Sequence, residues 1–272
     1  MGPLLRDAVL AGAGALASRS AYAALRRVQP GGEHRWTRTN HRGETVSLLS
    51  GPALAVSAAA TAAAGAPAGM RSAAAGATLV SGALGVYDDI VGQRPDQKAD
   101  KGLRGHLGAL RAGRVTSGLV KLAGVGLTGI IAAGAVTRRP VDRVIAGGVI
   151  AGTANLFNLL DLRPGRALKA AVGLGTATMG GAAGGLVAGP VGASAGLLRE
   201  DLGERTMLGD GGANAIGAVL GLRLAAAGGP GRRAGTLAVL AALTLASERV
   251  SFTKVIESTP VLREVDALGR RQ

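Results

Sequence analysis

Residues 153–170 read TANLFNLLDLRPGRALKA. An apolar run leads into this stretch and another leads out of it. Between them stand Asn155, Asn158 and Asp161, at i, i+3 and i+6. At 3.6 residues per turn this spacing sets them roughly on one face of a helix end. The helix then meets Arg163-Pro164-Gly165-Arg166. Proline and glycine end helices, and two arginines seek water or phosphate. Polar side chains where a membrane helix meets water are costly, so they mark a candidate functional site.

The composition says what surrounds that stretch. Of 272 residues 47% are hydrophobic but only 2% aromatic, and the apolar mass is Ala, Gly, Leu and Val. The apolar runs reach about 17–22 residues, the length that crosses a bilayer. Their small residues let membrane helices pack closely. We read an integral membrane protein, an all-α polytopic helix bundle forming a single transmembrane domain over 1–272.

The net charge of +14 would suggest nucleic acid on a soluble chain. Here the basic residues lie mostly between apolar runs, with almost no aromatic side chains to stack bases. Positive-inside topology and phosphate-binding loops account for them better, and no nucleic-acid partner is expected. The chain has no cysteine, which excludes disulfides and thiolate chemistry. Three scattered histidines form no zinc motif. No cleavable signal peptide is evident, since the first apolar stretch carries Arg6 and Asp7 and ends in Arg26-Arg27.

Nine spans are expected, at about 4–25, 46–64, 70–87, 115–136, 142–160, 167–186, 188–199, 212–228 and 234–250. The seventh is short and interrupted by Pro190. Loops 26–45, 88–114, 161–166 and 199–210 and the tail 251–272 bear motifs and hold most of the 31 basic residues. That bias puts them in the cytoplasm of a multi-pass cell-membrane protein, with the N-terminus outside and the C-terminus inside. Arg138-Arg139 and Arg232-Arg233 fall on the other side, so the rule holds on balance.

Four segments carry the candidate chemistry. In the first loop Arg35, Arg38 and Arg42 stand with Asn40 and Gly43, either as a positive-inside loop or as a phosphate holder. In GVYDDIVGQ, residues 85–93, Asp88-Asp89 closes an apolar helix. Adjacent carboxylates need a cation, a basic partner or a raised pKa, and acids at a helix C-terminus oppose the macrodipole. Such a pair at a membrane boundary suits Mg²⁺ bridging phosphates. The loop continues with Lys98, Lys101, Arg104, Arg111 and Arg114, and residues 102–112 suit a short surface helix. Lys121 falls inside the fourth span, where it snorkels or faces the bundle interior. The third segment is the stretch quoted first. In the fourth, Asp210 precedes Gly211-Gly212 and a small-residue helix, where an acid for metal and free amides for phosphate would adjoin.

The order of these segments resembles the polyprenyl-phosphate N-acetylhexosamine-1-phosphate transferases, the superfamily of the lipid I-forming enzyme of peptidoglycan and its GlcNAc-1-phosphate relatives. The likeness runs from about residue 38 to 222. YDDIVG with the later KGL resembles the family's DD loop, NLFNLLD the first part of its N-x-x-N-x-x-D-G-x-D-G signature, and MLGDGGANAIG its G-D-x-G-S segment. The departures are specific. Leu162-Arg163-Pro164-Gly165 replaces Gly-Leu-Asp-Gly, so the second acid is missing, and Ala213 stands for the serine. The family's histidine-rich loop is absent, with residues 254–270 roughly in its place.

The resemblance implies Mg²⁺-dependent transfer of a sugar-1-phosphate from a UDP-sugar to polyprenyl phosphate at the cytoplasmic face, releasing UMP for envelope glycan synthesis. It implies Asp88, Asp89 and Asp161 as catalytic residues and Asp210 with Asp161 as metal ligands. Asn155, Asn158, Lys101, Arg42 and Arg163 are implied in substrate binding. Membrane lipid is a partner, and the oligomeric state, a homodimer included, stays open. Two other classes stay open: a divergent, non-catalytic member that binds polyprenyl lipid or organises envelope enzymes, and a small transporter. Against the transporter, the acids lie at span ends and not at the midplane of broken helices.

Overall fold

The computed structural model describes residues 2–94 and 102–271. Each of the nine expected spans holds a helix, although the sixth stops at Ala177, short of the expected 186, because the glycine-rich stretch 178–184 is not helical. The helices are α1 (Pro3–Val28), α2 (Ser50–Gly65), α3 (Arg71–Val91), α5 (Ser117–Ala132), α6 (Pro140–Leu160), α7 (Arg166–Ala177), α8 (Gly185–Leu202), α9 (Gly209–Ala226) and α10 (Pro230–Ser247). The expected surface helix is α4 (Gly102–Arg111), and the tail adds α11 (Phe252–Ser258) and α12 (Pro260–Ala267).

Helix and span are not the same thing here. Among the described residues, three helices are long and apolar enough to cross a membrane: α1, α5 with its extension to Ala135, and α6. The bent pair α10–α11 makes a fourth if taken as one span. The others fall short for physical reasons. At 16 and 12 residues, α2 and α7 are short. In α3, α8 and α9, glycine and charged residues dilute the hydropathy. Pro190 does not end a helix: α8 runs through it, with Ser194 Oγ donating to the Pro190 carbonyl at 2.9 Å.

A feature outside the helical expectation is a small antiparallel hairpin. β1 (Thr37–Thr39) pairs β2 (Thr45–Ser47), with Arg38 opposite Val46. Threonine and valine at these positions favour strand. The hairpin is tied to the chain before α9, where Met207 N–H donates to the Ser47 carbonyl at 2.9 Å.

The core centres on α9. Ile216, Val219, Leu220 and Leu222 are at most 1% exposed, and the helix is buried nearly all round, as a central helix must be. Around it pack α2, α3 and α6. Successive long helices run up and down. One end of the bundle therefore collects the hairpin, the end of α3, the start of α5, the 161–166 break, the start of α9 and the tail. The N-terminus lies at the other end.

Candidate functional site

The motif-bearing end is built where three helix ends meet. α3 carries Asp88-Asp89 in its last turn, one turn after Gly85, where an added Cβ would run into the Asp210 backbone oxygen. Bare backbone at Gly85 thus lets α9 begin directly against α3. Lys121, from α5, salt-bridges Asp88 at 2.6 Å and also contacts Asp210. All three side chains are at least partly covered, being 20%, 15% and 35% exposed for Lys121, Asp88 and Asp210.

Asp89 takes a different partner. Its Oδ2 accepts the Gly211 N–H at 3.0 Å, in the first turn of α9. Free amides and the positive end of the dipole favour a carboxylate there. Gly209 makes this approach possible. Its φ is +65°, and a Cβ on it would lie 2.9 Å from Asp89 Oδ2. A side chain at 209 would be strained in backbone and crowded by the acid.

Asp161 follows the last residue of α6 and rests near the Gly209 amide. Burial pushes its carboxyl well above the ordinary value, and the negative charges of Asp201 and Asp210 add to the push. Asp201, buried at the end of α8, accepts the Gly165 N–H at 2.6 Å. Gly165, at φ +71°, gives the Pro-Gly break its sharp turn. A cavity of about 140 Å³ opens here, lined by Asp161, Arg163, Asp201, Glu204, Asn40 and His41 among others. That is below the roughly 300–1,000 Å³ of a drug-sized ligand site.

The structure therefore brings four of the expected residues together. Asp88 and Asp210 share Lys121, while Asp89 and Asp161 lie against the first residues of α9. Asn158 adjoins this group, donating to Asn214 Oδ1 at 2.8 Å, one helical turn beyond Asp210. Asn158 Oδ1 and Asn214 Nδ2 are buried without a protein partner. Asn155 does not join them. Its amide donates to Thr244 Oγ1 at 3.1 Å and ties α6 to α10. Arg42 is engaged by Glu204 at 3.0 Å and by the Arg271 carbonyl at 2.8 Å. Arg163 is looser, 30% exposed and 3.7 Å from Glu257. Lys101 lies outside the described residues.

Other residues of this end escaped the sequence reading. Lys121 was visible as a charge in an apolar run, but the two acids it joins were not. Asp201 and Glu204 are buried, and Glu204 has φ +54°, rare for a non-glycine residue. Nothing in the spacing announced them. Arg38 Nη2 is buried without a partner. Burial lowers the Arg38 pKa, against the opposing pull of Asp89 and Asp210.

Among the described residues no three Asp, Glu, His or Cys side chains form a group that could hold a metal ion. Two carboxylates do converge on a cation, the Lys121 ammonium. Mg²⁺ is commonly bound by one or two carboxylates together with waters and substrate phosphates; Asp210 and Asp161, the expected ligands, lie close enough for their charges to interact, and their oxygens are of the right chemistry for the ion. No protein-family model matches the chain, and no curated protein matches it.

Proposed function

We propose that the chain is a polytopic membrane enzyme of about nine spans, with its motif-bearing end in the cytoplasm. It transfers a sugar-1-phosphate from a UDP-sugar to polyprenyl phosphate and releases UMP. One observation carries this reading. Asp88, Asp89, Asp161 and Asp210, scattered over the sequence, meet at one end of the bundle, Asp88 and Asp210 on the Lys121 ammonium and Asp89 and Asp161 against the first residues of α9. Asp88 and Asp210 share one ammonium, an arrangement that suits further positive charge, and the motifs that hold these acids resemble those of the transferase superfamily.

In this mechanism Asp88 or Asp89 positions or deprotonates the lipid phosphate. That phosphate attacks the β-phosphorus of the UDP-sugar. The bond from the β-phosphorus to the oxygen shared with the α-phosphate breaks, and UMP leaves. Asp210 with Asp161 would hold the metal. Bound Mg²⁺ supplies charge neutralisation for the diphosphate. Arg163, partly exposed on the cavity rim, and Lys101 clamp phosphate oxygens. Arg42 can do so only by leaving Glu204, and Asn158 orients the substrate through the Asn214 contact. Asn155 acts on substrate only through the packing of α6.

A second reading has its own observation. Lys121 already bridges Asp88 and Asp210, and the 162–166 break lacks the second acid of the related motif. Both suit a divergent, non-catalytic protein that binds polyprenyl phosphate. Purified protein in lipid nanodiscs, given polyprenyl phosphate, Mg²⁺ and a panel of UDP-sugars, separates the two. Metal-dependent UMP release supports the enzyme. Polyprenyl-phosphate binding without UMP release from any UDP-sugar supports the second reading.

A further inference from the structure

Several arginines at the motif-bearing end have acids to pair with. Arg42 has Glu204, Arg166 has Asp266 and Arg271 has Glu44. Arg38 differs. It is half-buried in the middle of β1. Its Nη1 donates to the carbonyl of Thr37, its own neighbour in sequence, at 2.8 Å. Its Nη2 is sealed from solvent without a partner, the one such guanidinium nitrogen among the described residues. A buried charged donor left unpaired is costly. A ligand that accepts its bond relieves the cost.

The hairpin fixes where this guanidinium sits. Arg38 pairs with the buried Val46 across the two strands. Asn40 closes the turn, its Oδ1 accepting the Arg42 and Glu44 N–H groups, both at 2.9 Å. The second strand is anchored to the chain that enters α9. Thr206 Oγ1 donates to the Ser47 carbonyl at 2.6 Å, and Ser50 Oγ to the Met207 carbonyl at 2.9 Å. Leu48, just past β2, and Asp89 both lie against Gly209, 3.0 and 2.9 Å from a Cβ placed there. Asp89 and Asp210 are near enough for their charges to act on Arg38, yet neither bonds to Nη2. The cation and the two acids are thus held close to one another with a donor still free. A phosphate with its divalent cation suits both sides, the oxyanion for the guanidinium and the cation for the carboxylates.

We infer, on the reading proposed above, that Arg38 is a phosphate-binding residue of this site, its Nη2 donating to an oxygen of a substrate phosphate held between the hairpin and the acids. Arg42 must leave Glu204 before it can hold phosphate, whereas Arg38 already has a free donor in place. A guanidinium pre-set by its strand loses little freedom on binding. The phosphate belongs to the UDP-sugar or to the polyprenyl acceptor, which present the same oxyanion.

Full-length Arg38→Met and Arg38→Lys proteins in lipid nanodiscs test this with two probes: UDP with Mg²⁺, and polyprenyl phosphate with unphosphorylated polyprenol as its blank. Arg38→Met is expected to weaken binding of one probe or both by about 10–100-fold, the worth of a hydrogen bond to a charged group. Its melting temperature should stay at or above that of the wild type, because an unpaired buried charge has gone. Arg38→Lys should bind with intermediate affinity, and it carries the test if the Met protein does not fold. A loss confined to UDP assigns Arg38 to the nucleotide diphosphate. A loss confined to polyprenyl phosphate assigns it to the acceptor. Wild-type affinity for both probes in the folded variants overturns the role of Arg38 and leaves the proposed function standing. If the wild-type protein binds neither probe, the proposed function fails and the role of Arg38 with it.

Discussion

The two ends of the bundle handle charge in opposite ways. At the end away from the motifs, arginines finish the fold. Arg6 donates to the Gly65 carbonyl at 2.7 Å, Arg143 to Ile130 at 2.8 Å, and Arg223 to Thr178 and Gly180 at 2.8 and 2.6 Å. These bonds satisfy carbonyls at or near helix ends. The buried acid Asp142 has its own guanidinium, Arg233, at 2.5 Å. At the motif-bearing end, acids gather on glycine-built contacts, and Asp88 and Asp210 share the Lys121 ammonium. The first arrangement closes a structure. The second, on the proposed reading, is where further positive charge would bind.

The comparison predicts unlike responses to like changes. The largest is expected from neutralising one acid at each end. Asp210→Asn should lower UMP release by about 10²–10³-fold, the scale of losing one preorganised electrostatic group. Asp142→Asn should leave turnover per folded molecule unchanged but lower the melting temperature, since it strands a buried arginine. Equal losses of turnover would erase the distinction between the ends.

A smaller effect should follow from adding one methyl at each end. Gly85→Ala would press into the Asp210 backbone and Gly65→Ala into that of Gly185. Overpacking of this kind costs about 1–3 kcal/mol. Both variants should lose stability in thermal melts. Only Gly85→Ala should also lose activity in the surviving folded fraction, because it moves Asp88 away from Asp210.

Finer still is the exchange of Arg163 for lysine. A guanidinium grips phosphate through two bonds, which an ammonium cannot copy. Arg163→Lys should weaken UDP-sugar binding by roughly 1–2 kcal/mol in calorimetry, about one charge-assisted hydrogen bond. Unchanged binding would make Arg163 a headgroup anchor and remove it from the site. Asp161→Asn should instead weaken the dependence on Mg²⁺.

The smallest effect concerns the tail. Burial works to raise the Asp266 carboxyl, but Arg166 and Arg270 outweigh it and hold the group below its ordinary value. A depressed folded pKa contributes stability above the unfolded value, near 3.9, and that contribution fades as pH falls through the lower folded value. Hydrogen exchange in α12 should therefore show protection lost on acidification below about pH 4. Arg166→Met should remove that protection at neutral pH.

How much of this was legible depended on whether the signal was local. Each of the nine runs holds a helix, the sixth only as far as Ala177, because apolar length and Pro-Gly breaks act over neighbouring residues. Whether each crosses a membrane was less legible, since α7 is only 12 residues long and glycine thins the apolar character of α9. Asp88, Asp89, Asp161 and Asp210 stood out because acids beside apolar runs demand a reason. Their partners did not. Lys121 finds Asp210 across 89 residues, and Asp201 caps Gly165 across 36. Periodicity placed Asn155 on the face of Asn158, but the crossing of α10 gave it Thr244 instead. Arg42 looked free to hold phosphate only because Glu204 was not known to lie beneath it.

The central claim is that one end of the bundle takes a divalent cation with its nucleotide and the other does not. Electron paramagnetic resonance of Mn²⁺, standing in for Mg²⁺, reads this directly on purified protein with UDP-sugar. The account predicts one protein-bound Mn²⁺ that requires the nucleotide, is lost in Asp210→Asn and is retained in Asp142→Asn. A bound signal that survives Asp210→Asn, or that disappears equally in Asp142→Asn, would contradict it.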